Sequence, residues 1–157
     1  MPVEPTPDCP GVYTVDTELM GAPEVMSAYL VDADRPALVD TGAATATETV
    51  LAAMETVGID PEELAYLVPT HVHLDHAGAA GELARACPDA TVLVHERGRP
   101  YLTDPEQIER LAASARRALG PVADAYGEPT AVPPERCRGL SDGDRIDLGD
   151  RTLQTID

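Results

Sequence analysis

The sequence predicts a mixed α/β fold of the α+β kind, and three observations carry that prediction. Short runs of β-branched and aromatic residues come first, between residues 12 and 39, with turn residues between them. The hydrophobic period then changes to that of a helix over residues 45 to 57. From there helix-like and strand-like stretches alternate until a hairpin closes the chain.

The chain has 157 residues, enough for one domain with a real core; a domain of this size buries roughly 70% of the surface its unfolded chain exposes. Residues 1 to 10 carry Pro2, Pro5, Pro7 and Pro10, so an irregular leading segment is expected there, with the domain proper over residues 11 to 157. Val12–Val15, Met26–Val31 and Ala37–Val39 read as three strands separated by turns at Gly21-Ala22-Pro23 and Asp32–Pro36. Three short strands in succession suggest an antiparallel meander.

Val50, Leu51, Met54 and Val57 stand at helical spacing and Gly58 follows as a stop, so residues 45 to 57 form a helix with one buried stripe. Asp60-Pro61-Glu62-Glu63 combines a cap, a first-turn proline and a glutamate at the third position, the start of a brief helix before an apolar strand at residues 64 to 68. Gly78–Ala86 reads as a helix weakened by glycines, which also permit close backbone approach to the preceding loop. Thr91–Val94 is a continuous apolar run, the pattern of a strand buried on both faces, with His95 at its exit.

Asp104-Pro105 opens the clearest helix, with Ile108, Leu111, Ala112, Ala115 and Leu119 as its stripe and Gly120 as its end. Residues 121 to 139 hold Pro121, Pro129, Pro133 and Pro134 and read as irregular. Arg145–Leu148, the Gly149-Asp150 turn and Arg151–Asp157 then make a hairpin.

Composition excludes several classes of function. Acids outnumber bases 28 to 11, a net charge of −17, and all the bases are Arg. That field repels phosphate, so neither nucleic acid nor an anionic membrane is an expected partner. The charge, together with the absence of Lys, predicts a protein adapted to a high-salt cytoplasm, whose melting temperature rises between low and molar KCl. No run approaches the roughly 20 apolar residues of a membrane span, and the first residues lack the pattern of a leader, so a cytoplasmic protein is expected. Cys9, Cys87 and Cys137 are odd in number and far apart, and they indicate neither a disulfide framework nor a thiolate metal site.

The chemistry concentrates at Thr70-His71-Val72-His73-Leu74-Asp75-His76, where three of the four histidines fall within six residues around an acid. Imidazole and carboxylate suit zinc, iron or manganese. His71 and His73 can take one ion, and Asp75 and His76 a second about 3.5–4 Å away, the spacing of two-metal hydrolytic sites.

Thr70–His76 resembles the T-H-x-H-x-D-H signature of the metallo-β-lactamase superfamily. Leu38-Val39-Asp40-Thr41-Gly42 resembles the strand-end Asp-Thr-Gly that precedes that signature, and the order of elements over residues 11 to 157 is similar too. The resemblance implies an αββα sandwich, of which this chain supplies the first half to two-thirds. It implies that His71 and His73 hold a first zinc, that Asp75 and His76 hold a second, and that Asp40 and Thr70 orient these ligands from behind. His76 makes the pattern closer to glyoxalase II-like hydrolases than to the lactamases with Arg there. The implied reaction is attack by metal-activated water on an ester, thioester or related bond of a small-molecule substrate, with Asp75 also orienting the attacking water.

The superfamily needs a further histidine for the first metal and an Asp and a histidine for the second, and after His76 this sequence offers only His95. His95 is read as a capping or core residue, with a ligand role as the alternative. A truncated, weakly active or inactive hydrolase is therefore the first expectation. A metal-binding or interaction module, completed by a partner chain or by self-association through an unpaired C-terminal edge strand, is the alternative. A mononuclear enzyme using His71, His73, His76 and water is the third.

Overall fold

In the computed structural model, which describes residues 2–157, the first four strands form a meander. They are β1 (Val3–Pro5), β2 (Val12–Asp16), β3 (Ser27–Val31) and β4 (Ala37–Val39). All three pairings are antiparallel, with Pro5 opposite Tyr13, Thr14 opposite Tyr29 and Leu30 opposite Leu38. Short turns allow nothing else between neighbouring strands. After β4 the chain crosses over through helix α1 (Thr47–Val57), and β5 (Tyr66–Val68) returns parallel to β4.

Two short helices follow, α2 (Leu74–Ala77) and α3 (Ala80–Ala86), then β6 (Thr91–His95), α4 (Pro100–Thr103), α5 (Pro105–Leu119) and β7 (Cys137–Leu140). Among the described residues β1 to β7 lie side by side in chain order as one mixed sheet, and β8 (Arg145–Asp147) and β9 (Thr152–Gln154) form a separate antiparallel hairpin. The fold is the mixed α/β arrangement that the change of hydrophobic period predicts.

Each face of the sheet has its own cover. On one face Val15, Leu30, Leu38, Leu67 and Val92 pack with Val50 and Met54 of α1 and Leu83 of α3, every one of them fully buried. On the other, Val31, Ala37, Leu93 and Leu140 pack with Ile146 and Leu148 of the hairpin. β6 therefore sends Val92 and Val94 into one cluster and Leu93 into the other, which is why its sequence is apolar throughout. Asp104 caps α5 by accepting from the Glu106 amide at 2.9 Å, as the Asp-Pro signal predicts.

Four expectations need correcting. Residues 1 to 10 are not wholly irregular: Val3–Pro5 is an edge strand, with Val3 buried, because an edge position leaves proline's missing N–H without consequence. No helix forms at residues 61 to 63; the Asp60 and Glu63 caps are made, at 3.1 Å to the Glu62 amide and 3.0 Å from the Asp60 amide, but they close a single turn. Leu119, the last residue of α5, lies exposed instead of on its buried stripe. Within residues 121 to 139, 3-10 turns form at Gly120–Tyr126 and Pro134–Arg136, and β7 begins at Cys137. Arg136 makes that ending possible, since its guanidinium donates to the carbonyls of Ala84, Cys87 and Ala90 and ties the exit of α3 to the start of β7. Among the described residues no helix is long and apolar enough to cross a membrane.

Candidate metal centre

Because β4 and β5 are parallel neighbours, their C-terminal ends lie together, and the turn after Val39 meets the loop after Val68 at one sheet edge. The Asp40 amide donates to the Val68 carbonyl at 3.0 Å. Asp40 itself sits at φ 60, a left-handed conformation that Asp tolerates better than most residues. The turn aims its carboxylate under the histidine loop, where it is almost completely buried.

That carboxylate organises the loop. Its Oδ1 accepts from the Thr70 amide at 2.7 Å and the Thr70 hydroxyl at 2.9 Å, and its Oδ2 accepts from His76 Nδ1 at 2.9 Å. An ionised carboxylate only accepts, so His76 carries a proton on Nδ1, and in the neutral imidazole the lone pair lies on Nε2. The Thr70 hydroxyl spends its one proton on Asp40, so at 3.0 Å it accepts from His71 Nδ1. His71 is thereby held in the same tautomer, with Nε2 free. One buried acid fixes two imidazoles, directly and through a threonine.

Thr41 and Gly42 complete the support. The Thr41 amide donates to the His76 carbonyl at 2.7 Å, and its buried hydroxyl lies 3.0 Å from that carbonyl and accepts from the Ala79 amide at 3.2 Å. Gly78 lets α2 come this close: a Cβ there would stand 2.8 Å from the Ala44 amide nitrogen and 3.0 Å from the Ala43 Cα. The sequence predicts close approach towards the histidine loop; at Gly78 it is made instead to Ala43 and Ala44, and at Gly81 to Thr130.

Above this floor the donors cluster. The His71 ring centroid lies 4.8 Å from that of His73 and 4.1 Å from that of His76, and an Asp75 carboxylate oxygen lies 3.6 Å from His76 Nε2. His71 and His73 are exposed, whereas Asp75 and His76 are half-buried. Among the described residues no three His, Cys, Asp or Glu side chains are gathered as they stand into a set that could hold an ion. The residues nonetheless fit one chemically, because two imidazoles are tautomer-fixed with Nε2 outward and a carboxylate shares the Nε2 side of one of them. Burial, then the neighbouring His76 and His73, push the His71 pKa below its usual value, against the pull of Asp40 and Asp75, which favours the neutral ligand form.

Of the other expected positions, His95 stands at the end of β6. Its Nδ1 accepts from the Arg97 amide at 3.1 Å, capping the turn there, and its Nε2 lies 3.6 Å from an Asp157 carboxylate oxygen. The three cysteines stay apart and free; burial pushes Cys87 up to about 11 and Cys137 up as well, so neither offers a thiolate at neutral pH. A largely apolar cavity of about 720 Å³ opens beside His71, lined also by His95, Arg97 and Tyr101. Sequence alone places Thr41 within the Asp-Thr-Gly motif but gives it no role, and nothing local marks the Arg97 loop.

A profile of the metallo-beta-lactamase superfamily matches residues 22–156. A metallo-beta-lactamase fold-containing protein of Sulfurisphaera tokodaii is 28% identical over 120 residues, 76% of this chain and 42% of that protein. A nitric oxide reductase of Moorella thermoacetica is 42% identical over 71 residues, 45% of this chain and 18% of its own length. An N-acyl homoserine lactonase of Azorhizobium caulinodans is 39% identical over 59 residues, 38% of this chain and 21% of its own. Among solved structures, an archaeal metallo-beta-lactamase superfamily protein from Sulfolobus tokodaii superposes with a TM-score of 0.79 at 25% identity, covering 94% of this chain and 55% of that one. A B3 metallo-beta-lactamase with an active-site glutamic acid gives 0.72 at 24% identity, covering 99% of this chain and 52% of that one. The chain spans less than half the length of these curated relatives and about half of these structures.

Proposed function

Since this chain belongs to the metallo-beta-lactamase superfamily, we propose that its Thr70–His76 loop is one wall of a metal-dependent hydrolase site acting on an ester, thioester or related bond. The observation that carries this reading is the Asp40 network, in which one buried carboxylate holds His76 at 2.9 Å and, through Thr70, His71, both with Nε2 presented outward. That is the arrangement by which metal-binding histidines are held in their ligating tautomer.

In this reading His71 and His73 hold one zinc and Asp75 and His76 a second, with iron or manganese as other occupants of the same donors. When bound, the metal supplies Lewis-acid polarisation and lowers the pKa of water to about 7. Asp40 keeps the two imidazoles in their ligating tautomers without touching substrate. Asp75, half-buried beside His76, also orients the attacking water. Donors to complete either coordination sphere come from outside residues 70–76, from elsewhere in the same protein or from a partner chain.

The test is metal content and turnover on the same 157-residue chain. Elemental analysis after purification and after zinc, iron and manganese loading is paired with a panel of thioester, lactone and aryl ester substrates. Metal binding with turnover that His73→Ala abolishes supports the hydrolase. Full occupancy without turnover of any substrate supports instead a metal-binding interaction module, no uptake favours a site whose remaining ligands are missing from these residues, and uptake that His71→Ala and His73→Ala leave unchanged overturns the reading of the loop.

A further inference from the structure

We propose that His73 is the adjustable donor of the Thr70–His76 loop, with neither ring nitrogen committed before an ion arrives, whereas His71 and His76 offer Nε2 alone. The proposal rests on the reading of the loop as a metal site and names the residue on which that site adapts to its ion.

The three imidazoles differ in what holds them. His76 Nδ1 lies 2.9 Å from the Asp40 carboxylate, and His71 Nδ1 lies 3.0 Å from the Thr70 hydroxyl, whose own proton goes to Asp40 at 2.9 Å. Each contact uses Nδ1 as the donor and leaves the lone pair of the neutral ring on Nε2. His73 has no such partner. Among the described residues its ring makes no hydrogen bond, and it meets the His71 ring edge-on, with centroids 4.8 Å and planes 74° apart. An exposed ring that nothing orients keeps both tautomers open.

This freedom belongs to the side chain alone. His73 is the residue that precedes α2, and its carbonyl accepts from the His76 and Ala77 amides at 2.9 Å each. It is thereby tied to the short helix that carries Asp75 and His76, and its ring turns about a fixed point. A surface histidine on a loose loop lacks that tether. Two donors with a set nitrogen and a third with a choice of nitrogen suit ions that differ in preferred geometry: Asp40 fixes the first two, and the third follows the ion. His95 gives the opposite case within the same chain, since its Nδ1 accepts from the Arg97 amide at 3.1 Å and the proton of the neutral ring is on Nε2.

The test is long-range nitrogen-15 NMR of the ring nitrogens in the EDTA-treated chain at pH 8.5, where an ordinary imidazole with a pKa of about 6.5 is neutral. The chain has four histidines, so His71→Gln, His73→Gln and His95→Gln assign every ring. His71 and His76 are expected to show the pure Nδ1–H pattern, with His95 as the reference for pure Nε2–H and His73 averaged between the two. In Thr70→Val, His71 should join His73 in the averaged pattern while His76 is unchanged; in Asp40→Asn, His76 should lose its pure pattern. A single tautomer at His73, or averaging at His71 or His76 in the parent, overturns the proposal. So does a His71 that stays purely Nδ1–H in Thr70→Val, which keeps the test decisive should Asp40→Asn fail to fold. No metal enters these spectra, so the outcome of metal loading bears on the reading of the loop as a metal site and not on them.

Discussion

The floor and the rim of the candidate centre are built in opposite ways. Asp40 and Thr41 are buried, Asp40 at φ 60, and hydrogen bonds at 2.7–3.2 Å hold them to Thr70, His76 and Ala79. His71 and His73 are exposed, and His73 has no side-chain hydrogen bond among the described residues. Under the proposed metal reading, stability and function are therefore separable: the floor contributes to the fold and would aim the ligands, while the rim would supply ligands and contributes little to folding. Changes in the floor should reduce both stability and metal affinity, and changes in the rim should affect metal alone.

Gly78→Ala attacks the floor most directly. The added methyl would meet backbone atoms of Ala43, Ala44 and Leu74, which cannot rotate away. A loss of about 3 kcal/mol or more is expected, above the ordinary cost of overpacking because backbone must move. Urea unfolding with an unchanged slope measures it. A variant as stable as the parent would show that α2 and the Asp40 turn are not in close contact.

Asp40→Asn is expected to cost about 2 kcal/mol, the worth of charge-assisted bonds to a buried carboxylate. Asn accepts the left-handed backbone, so the effect reports on the carboxylate and not on the turn. Zinc affinity should fall about 10- to 100-fold as His76 and His71 lose their fixed tautomers. Stability lost with affinity intact would separate Asp40 from the ligands and break the comparison.

How much of this could be read from the sequence follows the same division. The rim is local: three histidines and an acid within six residues announce themselves, and α5 is announced by Asp104-Pro105 and Gly120. The floor is not local, because Asp40 reaches Thr70 and His76 only once β4 and β5 pair in parallel. β7 escaped because Cys137-Arg138-Gly139-Leu140 has no strand pattern; Gly139 is there for space, since its Cβ would stand 3.0 Å from the Glu96 Cα. β1 escaped because prolines read as breakers, yet at a sheet edge a proline costs no ladder bond. The Arg97 turn has no signature, since its place depends on Gly98 meeting Val72 across the fold.

Thr70→Val tests the link between the two regions. Thr70 is exposed, and its hydroxyl joins Asp40 at 2.9 Å to His71 at 3.0 Å. Valine keeps the shape and the amide bond to Asp40 while removing both hydroxyl contacts. A stability loss of about 1 kcal/mol is expected, the net worth of a typical hydrogen bond. Zinc affinity should fall by less than in Asp40→Asn, since His76 keeps its own contact. An equal fall in both variants would mean that His71 carries all of the orientation.

The smallest effect concerns protons at the rim. Burial, then His76 and His73, hold the His71 pKa below the ordinary 6.5. In the window between that lowered value and 6.5 the unfolded chain binds more protons than the folded one, so stability rises with pH there and falls as the solution is acidified. Because His71 is exposed, solvent screens much of the interaction. The measurement is therefore a difference: the melting temperature of the metal-free protein between pH 7.5 and 5.5, against that of His71→Gln, which cannot protonate. The parent should lose slightly more stability than the variant on acidification, since every other titratable group is common to both. Equal losses would mean that the three imidazoles do not sense one another without metal, and that the rim is assembled by its ligand instead of held ready by the floor.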